Sequence, residues 1–219
     1  MLRFLDQLLS KKLSKLRKPY GFNMPVWCGP FLKEIESIQE EWKQYKKTRG
    51  EGVFIDELSK DQELLNEDKK WKALFLYGYS FLNEKELIHF PETAKLIQNN
   101  LDEITLVMLS TTESGKHIPA HTGNNYGVLR LQIGIDIADP EKCSLRVEDK
   151  TVHLKEKEIF IFDDTFEHEL ENNSNSNRTV LIIDYYKPLP FWYRVLNKRK
   201  IAEIAKSDYV QSVINKITK

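Results

Sequence analysis

The sequence has little cysteine, no net charge and no long apolar run, and each shortage excludes a class of protein. The 219-residue chain balances 33 basic residues with 33 acidic ones, so no global field points to nucleic acid. Cys28 and Cys143 form no CxxC pair, which excludes a disulfide framework and a cysteine zinc knuckle and predicts a reducing, cytoplasmic location. No apolar run approaches the ~18–20 residues that span a bilayer.

Residues 1–22 are typical of a basic amphipathic helix. They do not resemble a secretory signal, because lysines interrupt the apolar residues and no small-residue cleavage site follows. Lysines and arginines cover one side of the helix. The apolar stripe on the other side consists of Leu2, Leu5, Leu9, Leu13 and Leu16. Such a helix docks on its own domain, rests on an anionic membrane surface through residues 2–18, or docks on a partner.

Residues 23–219 are predicted to form a single domain of the α+β class that is mainly β. Residues 23–100 have a helical or mixed pattern, and residues 191–219 return to helical periodicity. Between about 101 and 190, short runs rich in Val, Ile and Leu alternate with turn-like stretches. Strands at that spacing indicate an antiparallel sandwich or barrel.

The strand predicted at 128–137 carries polar residues that a barrel would bury. One face holds Val128, Arg130, Gln132, Gly134 and Asp136, and the other holds Leu129, Leu131, Ile133, Ile135 and Ile137. The fully apolar face must be buried. Arg130 and Gln132 are either solvated on an outer face or, inside a barrel, require a polar ligand or partner.

Two of the five histidines are candidate metal ligands. His121 lies in a glycine-containing loop that leads into the next strand, and His168 follows the apolar run "EIFIF". Imidazole suits first-row transition metals, although a lone histidine is more often a surface or structural residue. His89 and His153 lack such surroundings and are predicted to be structural. Arg178, at the start of "TVLIIDYY", is either solvated or a bidentate partner for a carboxylate.

Two segments, "HTGNNYGVLRLQIGI" and "IFDDTFEHELENNSNSNRTVLIIDYYKP" in that order, resemble the aspartyl/asparaginyl β-hydroxylase family of iron(II)- and 2-oxoglutarate-dependent dioxygenases. The resemblance covers about residues 25–190, with weaker matches in "WKALFLYGY" and "FPETAKLI". It implies a double-stranded β-helix core of the jelly-roll or cupin-like type, with N-terminal and C-terminal helices packed on it. It also implies hydroxylation of a C–H bond with iron(II), 2-oxoglutarate and O2, giving succinate and CO2.

The resemblance assigns a role to each matching residue. His121 and His168 match the two iron ligands of the family. Arg178 matches the arginine that pairs with the distal carboxylate of 2-oxoglutarate, and Ser110 matches a serine that contacts this cosubstrate. Arg130 matches an arginine of the active site and is expected to bind the cosubstrate or an acidic substrate.

Several positions need separate comment. Gly123 stands where most oxygenases of this chemistry have an iron-binding carboxylate, which the family also lacks. Asp164 matches an aspartate that acts on the metal through a water, while its neighbour Asp163 is expected to be structural or solvated. Gln132 replaces a common histidine; it can still donate a hydrogen bond to the cosubstrate's carboxylate but cannot become cationic. Tyr77 aligns loosely with an aromatic residue near the cosubstrate.

The metal motif does not encode the substrate. Aspartyl or asparaginyl side chains of peptides, small molecules such as free amino acids, and lipid-linked groups are all compatible with the resemblance. Arg146 alternates with apolar neighbours and is a further candidate for lining the cavity. The alternative function is a cupin-like domain that binds a metal or ligand without turnover, and a purely structural module is the second rival.

Overall fold

A computed structural model of the chain describes residues 2–218, apart from the side chains of residues 2–6, 60 and 61. The helices are α1 (Leu2–Lys15), α2 (Gly29–Lys33), α3 (Ile35–Arg49), α4 (Ile55–Leu58), α5 (Glu84–Leu87), α6 (Pro91–Gln98), α7 (Phe191–Ala205) and α8 (Asp208–Ile217). The strands are β1 (Val53–Phe54), β2 (Trp71–Gly78), β3 (Phe81–Leu82), β4 (Ile104–Thr112), β5 (Lys116–His121), β6 (Val128–Ile137), β7 (Cys143–Val147), β8 (Lys150–Val152), β9 (Ile159–Phe162), β10 (His168–Asn172) and β11 (Arg178–Tyr186). Within these described residues, no helix combines the length and the apolarity needed to cross a bilayer.

The strands form two antiparallel sheets. The larger sheet has the order β1-β2-β4-β11-β6-β9, with β3 paired to β2, and the smaller has the order β5-β10-β7-β8. One buried cluster takes side chains from both sheets, among them Ile182 and Phe162 from the larger and Leu145 and Leu170 from the smaller. The sheets therefore face each other as two walls of a barrel, and the predicted double-stranded β-helix is confirmed.

A second cluster lies on the outer face of the larger sheet. There Phe31, Ile38 and Trp42 of α2 and α3 pack with strand residues such as Leu131 and Leu181. Burial of this face at about 25 cal/mol per Å² holds the helices against the sheet. The helical first half of the chain thus serves to cover one wall of the barrel.

Strand β6 alternates as predicted until a bulge near its end. Leu129, Leu131, Ile133 and Ile135 belong to the outer cluster, so Arg130 and Gln132 face the barrel interior. Its register with β11 shifts between Gly134 and Asp136, and the extra residue reverses the alternation beyond it. Asp136 consequently pairs with Lys46 of α3, and Ile137 joins the inner cluster, opposite to the predicted faces.

The two terminal helical regions contact each other. Helix α1 packs against α7, and Leu9 and Leu13 of the predicted apolar stripe are buried. Leu16 is 41% exposed, whereas the side chains of Leu2 and Leu5 lie outside the described residues. The described middle of the stripe is therefore covered by the protein itself, which favours the docked-helix alternative for α1.

Candidate metal and anion site

His121 and His168 meet at one end of the smaller sheet. His121 ends β5, His168 begins β10, and the two are paired directly across the antiparallel ladder. Their ring centroids are 4.1 Å apart. Residues that are separated by 47 positions in sequence are thereby placed side by side at the barrel interior.

Each imidazole is oriented by its own backbone. His121 Nδ1 lies 2.9 Å from the carbonyl oxygen of Pro119, and His168 Nδ1 lies 3.0 Å from that of Phe166. Because a carbonyl only accepts, each Nδ1 carries the proton and each Nε2 keeps a free lone pair. Among the described residues, no protein group hydrogen-bonds either Nε2. This is the tautomer in which paired histidines bind a metal ion.

Burial keeps both histidines neutral. It is the largest cause that lowers the pKa of His168 to about 3, followed by repulsion from His121. Burial also lowers the pKa of His121, and the positive charge of Arg130 acts in the same direction. Neutral imidazoles need not release a proton before they bind a cation, so the pair is ready to bind metal near neutral pH.

The carboxylate of Asp164 fills the space beside Gly123. A Cβ placed on Gly123 would lie 2.5 Å from Oδ2 and 2.8 Å from Oδ1 of Asp164, and the Gly123 N–H donates to the Asp164 carbonyl at 2.7 Å. Asp164 Oδ1 is buried and has no hydrogen-bond partner among the described residues. An acid from the turn after β9 therefore occupies the place where a side chain at 123 would begin, with one oxygen available to a ligand.

Arg130 contacts Asp164 and also binds a second acid, Asp184, which the sequence did not indicate. Its Nε and Nη2 donate to Oδ1 and Oδ2 of Asp184, both at 2.8 Å, and Nη2 also lies 3.3 Å from Asp164 Oδ2. Burial raises the pKa of Asp164 to about 6, against the opposing effect of Arg130. Arg130 is thus a positioning residue for Asp164, with a guanidinium already engaged by two carboxylates.

Arg178 is a buried cation without an acidic partner. It is 2% exposed, and the one hydrogen bond that its guanidinium makes among the described residues runs from Nη2 to Gln132 Oε1 at 3.2 Å. No carboxylate among the described residues lies within ion-pair distance of it. Burial lowers its pKa to about 10, which leaves the guanidinium charged at neutral pH. A buried and unneutralised guanidinium demands an anion.

Two polar residues extend this anion site. Because Gln132 accepts from Arg178 through Oε1, its Nε2 group remains to donate to a bound carboxylate. Ser110 is buried on β4, where its Oγ accepts from the indole Nε1 of Trp71 at 3.0 Å, so its own proton is free to donate. The inner wall at Arg178 therefore offers donors that converge from three neighbouring strands.

Asn172 explains why Arg178 returns beside the histidine strand. Its fully buried amide donates to the carbonyl oxygens of Thr112, Glu113 and Ser176, and its Oδ1 accepts from Ser174 Oγ at 2.6 Å. One side chain thus closes the polar turn between β10 and β11. A run of asparagines and serines gives little sequence signal for such a buried anchor.

Asp163 points away from the site and supports the turn that carries Asp164. Its Oδ2 lies 2.6 Å from Nζ of Lys187 in a buried ion pair, and its Oδ1 accepts from the hydroxyl of Thr165 at 2.7 Å. Its N–H donates to the carbonyl of Pro19 at 3.0 Å. The two adjacent aspartates therefore differ in role: Asp163 supports the turn, and Asp164 lies at the candidate metal site.

Two sequence candidates lie outside the interior. Arg146 is on the outer face of the smaller sheet, where its guanidinium pairs with Glu167 and Glu169, so the interpretation that it lines the cavity is wrong. Tyr77 packs in the outer cluster, because the β2 register shifts between Phe75 and Tyr77.

Tyr79 is an aromatic residue close to the ion pair between Arg130 and Asp184. Burial raises its pKa to about 12, with a further contribution from Asp184. It sits in a turn with φ of 50°, a backbone strain that pattern reading does not reveal.

The remaining histidines do not join the pair. His153 Nδ1 lies 3.0 Å from the Cys143 carbonyl, and the ring of His89 packs beside Tyr45. His117, which is exposed, forms a group with the half-buried Glu169 and Glu171 whose ligand atoms are mutually within 4.8 Å. Glu169 is already neutralised there by Arg146. The interior histidines, with their free Nε2 atoms, are the stronger metal candidates.

A double-stranded β-helix with two neutral histidines and a buried arginine on its inner walls is a candidate metal-dependent barrel protein. The sequence model described as Aspartyl/Asparaginyl beta-hydroxylase matches residues 33–188. An ornithine lipid ester-linked acyl 2-hydroxylase of Rhizobium tropici is 32% identical over 192 residues, which cover 86% of this chain and 68% of that protein.

Two mammalian relatives extend the comparison. The aspartyl/asparaginyl beta-hydroxylases of Mus musculus and Homo sapiens are each 27% identical over 182 residues, or 77% of this chain. The chain spans 24% and 23% of their respective lengths. The chain belongs to the aspartyl/asparaginyl β-hydroxylase family, and the resemblance seen in the two motif segments is confirmed.

Proposed function

We propose that the chain is an iron(II)- and 2-oxoglutarate-dependent hydroxylase whose substrate is an acyl chain of a membrane lipid. The observation that carries the proposal is Arg178, a buried cation with no acidic partner among the described residues. A small dicarboxylate that binds a metal at one end would neutralise this cation at the other. The rival, a cupin-like domain that binds a metal or ligand without turnover, would use the same cation to hold an anionic ligand, so turnover is what separates the two functions.

The histidine pair supports iron as the metal. His121 and His168 would hold it through Nε2, since their Nδ1 atoms are committed to backbone carbonyls. Bound iron(II) would supply the activation of O2 that hydroxylation of a C–H bond requires. Asp164 Oδ1, which is buried and unpartnered among the described residues, would accept a hydrogen bond from water held beside the metal.

The other residues orient the cosubstrate and exclude water. Arg178 would donate to the distal carboxylate of 2-oxoglutarate, with Gln132 Nε2 and Ser110 Oγ as further donors. Gln132 is uncharged, so among these three residues Arg178 alone would attract the cosubstrate's carboxylate by its positive charge. Arg130 is engaged by Asp184 and Asp164; its part in this proposal is to hold Asp164 in place.

The substrate class rests on the bacterial relative. That protein's name specifies an ester-linked acyl group, and its match covers most of this chain. The mammalian relatives match this chain over a region that makes up about a quarter of their own lengths. An aspartyl or asparaginyl side chain of a peptide is the second candidate, favoured by the names of those relatives. The metal and anion site is the same for both.

The test is anaerobic reconstitution with iron(II) and 2-oxoglutarate, followed by O2 and either a bacterial lipid extract in mixed micelles or a peptide library. We expect succinate together with a gain of one oxygen atom on an acyl chain. If only peptides gain an oxygen atom, the substrate is a peptide side chain and not a lipid, while the proposed reaction still holds. The absence of succinate with every substrate, and also without substrate, would favour the non-catalytic barrel.

A further inference from the structure

The start of α7 exposes large apolar side chains. Phe191 and Trp192 are 70% and 76% exposed, and Val195 is 47% exposed. The two aromatic rings are edge-to-face, with centroids 5.2 Å apart. Val195 is four residues after Phe191 and three after Trp192, the two spacings at which side chains are neighbours on a helix surface, so these residues form a single outward-facing patch. An aromatic patch of this kind marks an interaction surface.

The patch continues onto the segment that follows α1. Met24 and Val26 are 48% and 94% exposed. A groove of about 830 Å³ runs between residues 16–27 and residues 185–194, and its lining includes Leu16, Leu189 and Arg194. Met24 and Val26 line this groove, and its lining residues Leu189 and Arg194 flank Phe191 and Trp192 in the sequence. We call the region around the groove, built from residues 7–27 and 188–199, the terminal surface.

The terminal surface is basic, and its excess positive charge lies on α1 and the residues that follow it. Residues 7–27 and 188–199 hold eight lysines and arginines and no acidic residue, although the whole chain is neutral. The three cations among residues 188–199 pair with Glu103, Asp102 and Glu203, so the lysines of residues 11–18 supply the excess positive charge. Lys11, Lys15 and Lys18 are exposed. A second copy of the same surface would be repelled by this charge. A bilayer with anionic lipids complements both the charge and the apolar side chains, since tryptophan and phenylalanine insert at the lipid boundary while lysines contact phosphates.

The terminal surface also adjoins the candidate site. Arg17 Nη2 donates to the carbonyl of Thr165 at 3.0 Å, and its guanidinium lies over the ring of Phe166 at 4.4 Å. On α7, Asn197 Nδ2 donates to the carbonyl of Gly127 at 2.7 Å. The contacted turns are those that carry Asp164 and follow His121.

We propose that the terminal surface docks on anionic membranes, with Phe191, Trp192 and Val26 inserted between lipids and the lysines of α1 on the headgroups. The membrane contact is thereby assigned to α7 and residues 24–26 rather than to the apolar stripe of α1, whose described middle is buried. The proposal rests on the surface and is independent of the proposed reaction.

Vesicle co-sedimentation tests the apolar part. The full-length, metal-free protein is mixed with vesicles of 30 mol% phosphatidylglycerol in phosphatidylcholine, or of phosphatidylcholine alone, without cosubstrate. We expect binding to the anionic vesicles and a partition coefficient about tenfold lower for the double variant Phe191→Ser/Trp192→Ser. The matched control Leu64→Ser/Ile88→Ser changes two residues that are 79% and 71% exposed elsewhere and should bind like the wild type.

Charge variants test the electrostatic part. Lys11→Gln/Lys15→Gln should weaken binding to the anionic vesicles by about fivefold per lysine, and Lys43→Gln/Lys47→Gln on α3 should not. Unchanged binding of the terminal-surface variants, or equal binding to neutral vesicles, overturns the proposal. One further result would overturn it. If the Phe191→Ser/Trp192→Ser variant still binds vesicles but light scattering shows a changed oligomeric state, this surface joins two copies of the chain instead of docking on a membrane. Thermal melts confirm that each variant is folded.

Discussion

Asp164 and Gly123 share one position in space: the carboxylate of the first lies 2.5 Å from where a Cβ of the second would stand. The missing side chain at 123 is therefore a requirement and not only a loss. An acid reaches the candidate metal site from the turn after β9, and Gly123 makes room for it. Two positions separated by 41 residues have to be read together to see this.

Substitution of Gly123 by alanine should displace Asp164. The new methyl group would meet the carboxylate well inside contact distance, at an expected cost of about 1–3 kcal/mol in stability. Loss of an oriented outer partner typically weakens metal binding 10- to 100-fold. Iron(II) or manganese(II) titration measures this. Gly29→Ala is the matched control, because a Cβ at Gly29 meets nothing within 4 Å; equal metal affinities for both variants would contradict the interpretation.

Arg178→Met should separate binding from folding. Since no acid among the described residues neutralises Arg178, its removal relieves a buried charge, and the free energy of unfolding should stay within about 1 kcal/mol of the wild type or rise. Affinity for 2-oxoglutarate should fall on the order of 100-fold. Calorimetric titration and urea unfolding measure the two effects.

By contrast, Arg130→Met leaves two buried acids, Asp164 and Asp184, without their cation and should destabilise the fold by about 3–5 kcal/mol.

Gln132→Glu should block the anion site from within. The substituted side chain has nearly the same shape, and its carboxylate would replace the oxygen that accepts from Arg178 at 3.2 Å. We expect a buried ion pair with Arg178, an unchanged or higher melting temperature, and loss of 2-oxoglutarate binding. Gln132→Met, which removes the hydrogen bond without adding a charge, should bind the cosubstrate more weakly but measurably. A Gln132→Glu variant that still binds 2-oxoglutarate would refute the placement of the anion.

Stability of the metal-free protein should depend on pH through His168. Burial lowers the pKa of His168 to about 3 from 6.5 in the unfolded chain, so its contribution is complete above pH 6.5 and is lost as pH falls toward 3. The raised pKa of Asp164, about 6, acts in the opposite direction between pH 6 and 3.8. Relative to wild type, His168→Gln should therefore gain about 3 kcal/mol between pH 7 and pH 4. Denaturant unfolding at several pH values, with chelator, measures this difference.

Much of the barrel could be predicted from local pattern. The alternation in β6 identified the buried apolar face and placed Arg130 and Gln132 together on the opposite face, because side-chain direction follows a period of two. That this second face lines the interior is an expectation from the family resemblance and not from the alternation. The exception at Asp136 and Ile137 comes from a bulge against β11. A bulge depends on the partner strand, so the sequence of β6 alone does not reveal it.

The partner of Arg130 could not be predicted for a related reason. Asp184 lies directly opposite Arg130 only because β11 pairs with β6 in that register, and the pairing spans 54 residues. The same limit applies to Arg146, whose alternation with Leu145 and Val147 was correct, while the face that turns inward was not. Periodicity separates two faces of a strand, but only the assembled sheet shows which one meets the site.

The hydrogen bond from Asp163 to Pro19 links the candidate metal site to the N-terminal segment. The turn that carries Asp164 contacts residues 17–19, so an interaction that fixes those residues also fixes the position of Asp164. Thermodynamic linkage is reciprocal, so loading the metal should strengthen the attachment of the N-terminal segment by the same free energy. If His121 and His168 bind a metal as proposed, an affinity tag or truncation at that end is thus expected to alter the metal affinity without contacting either histidine.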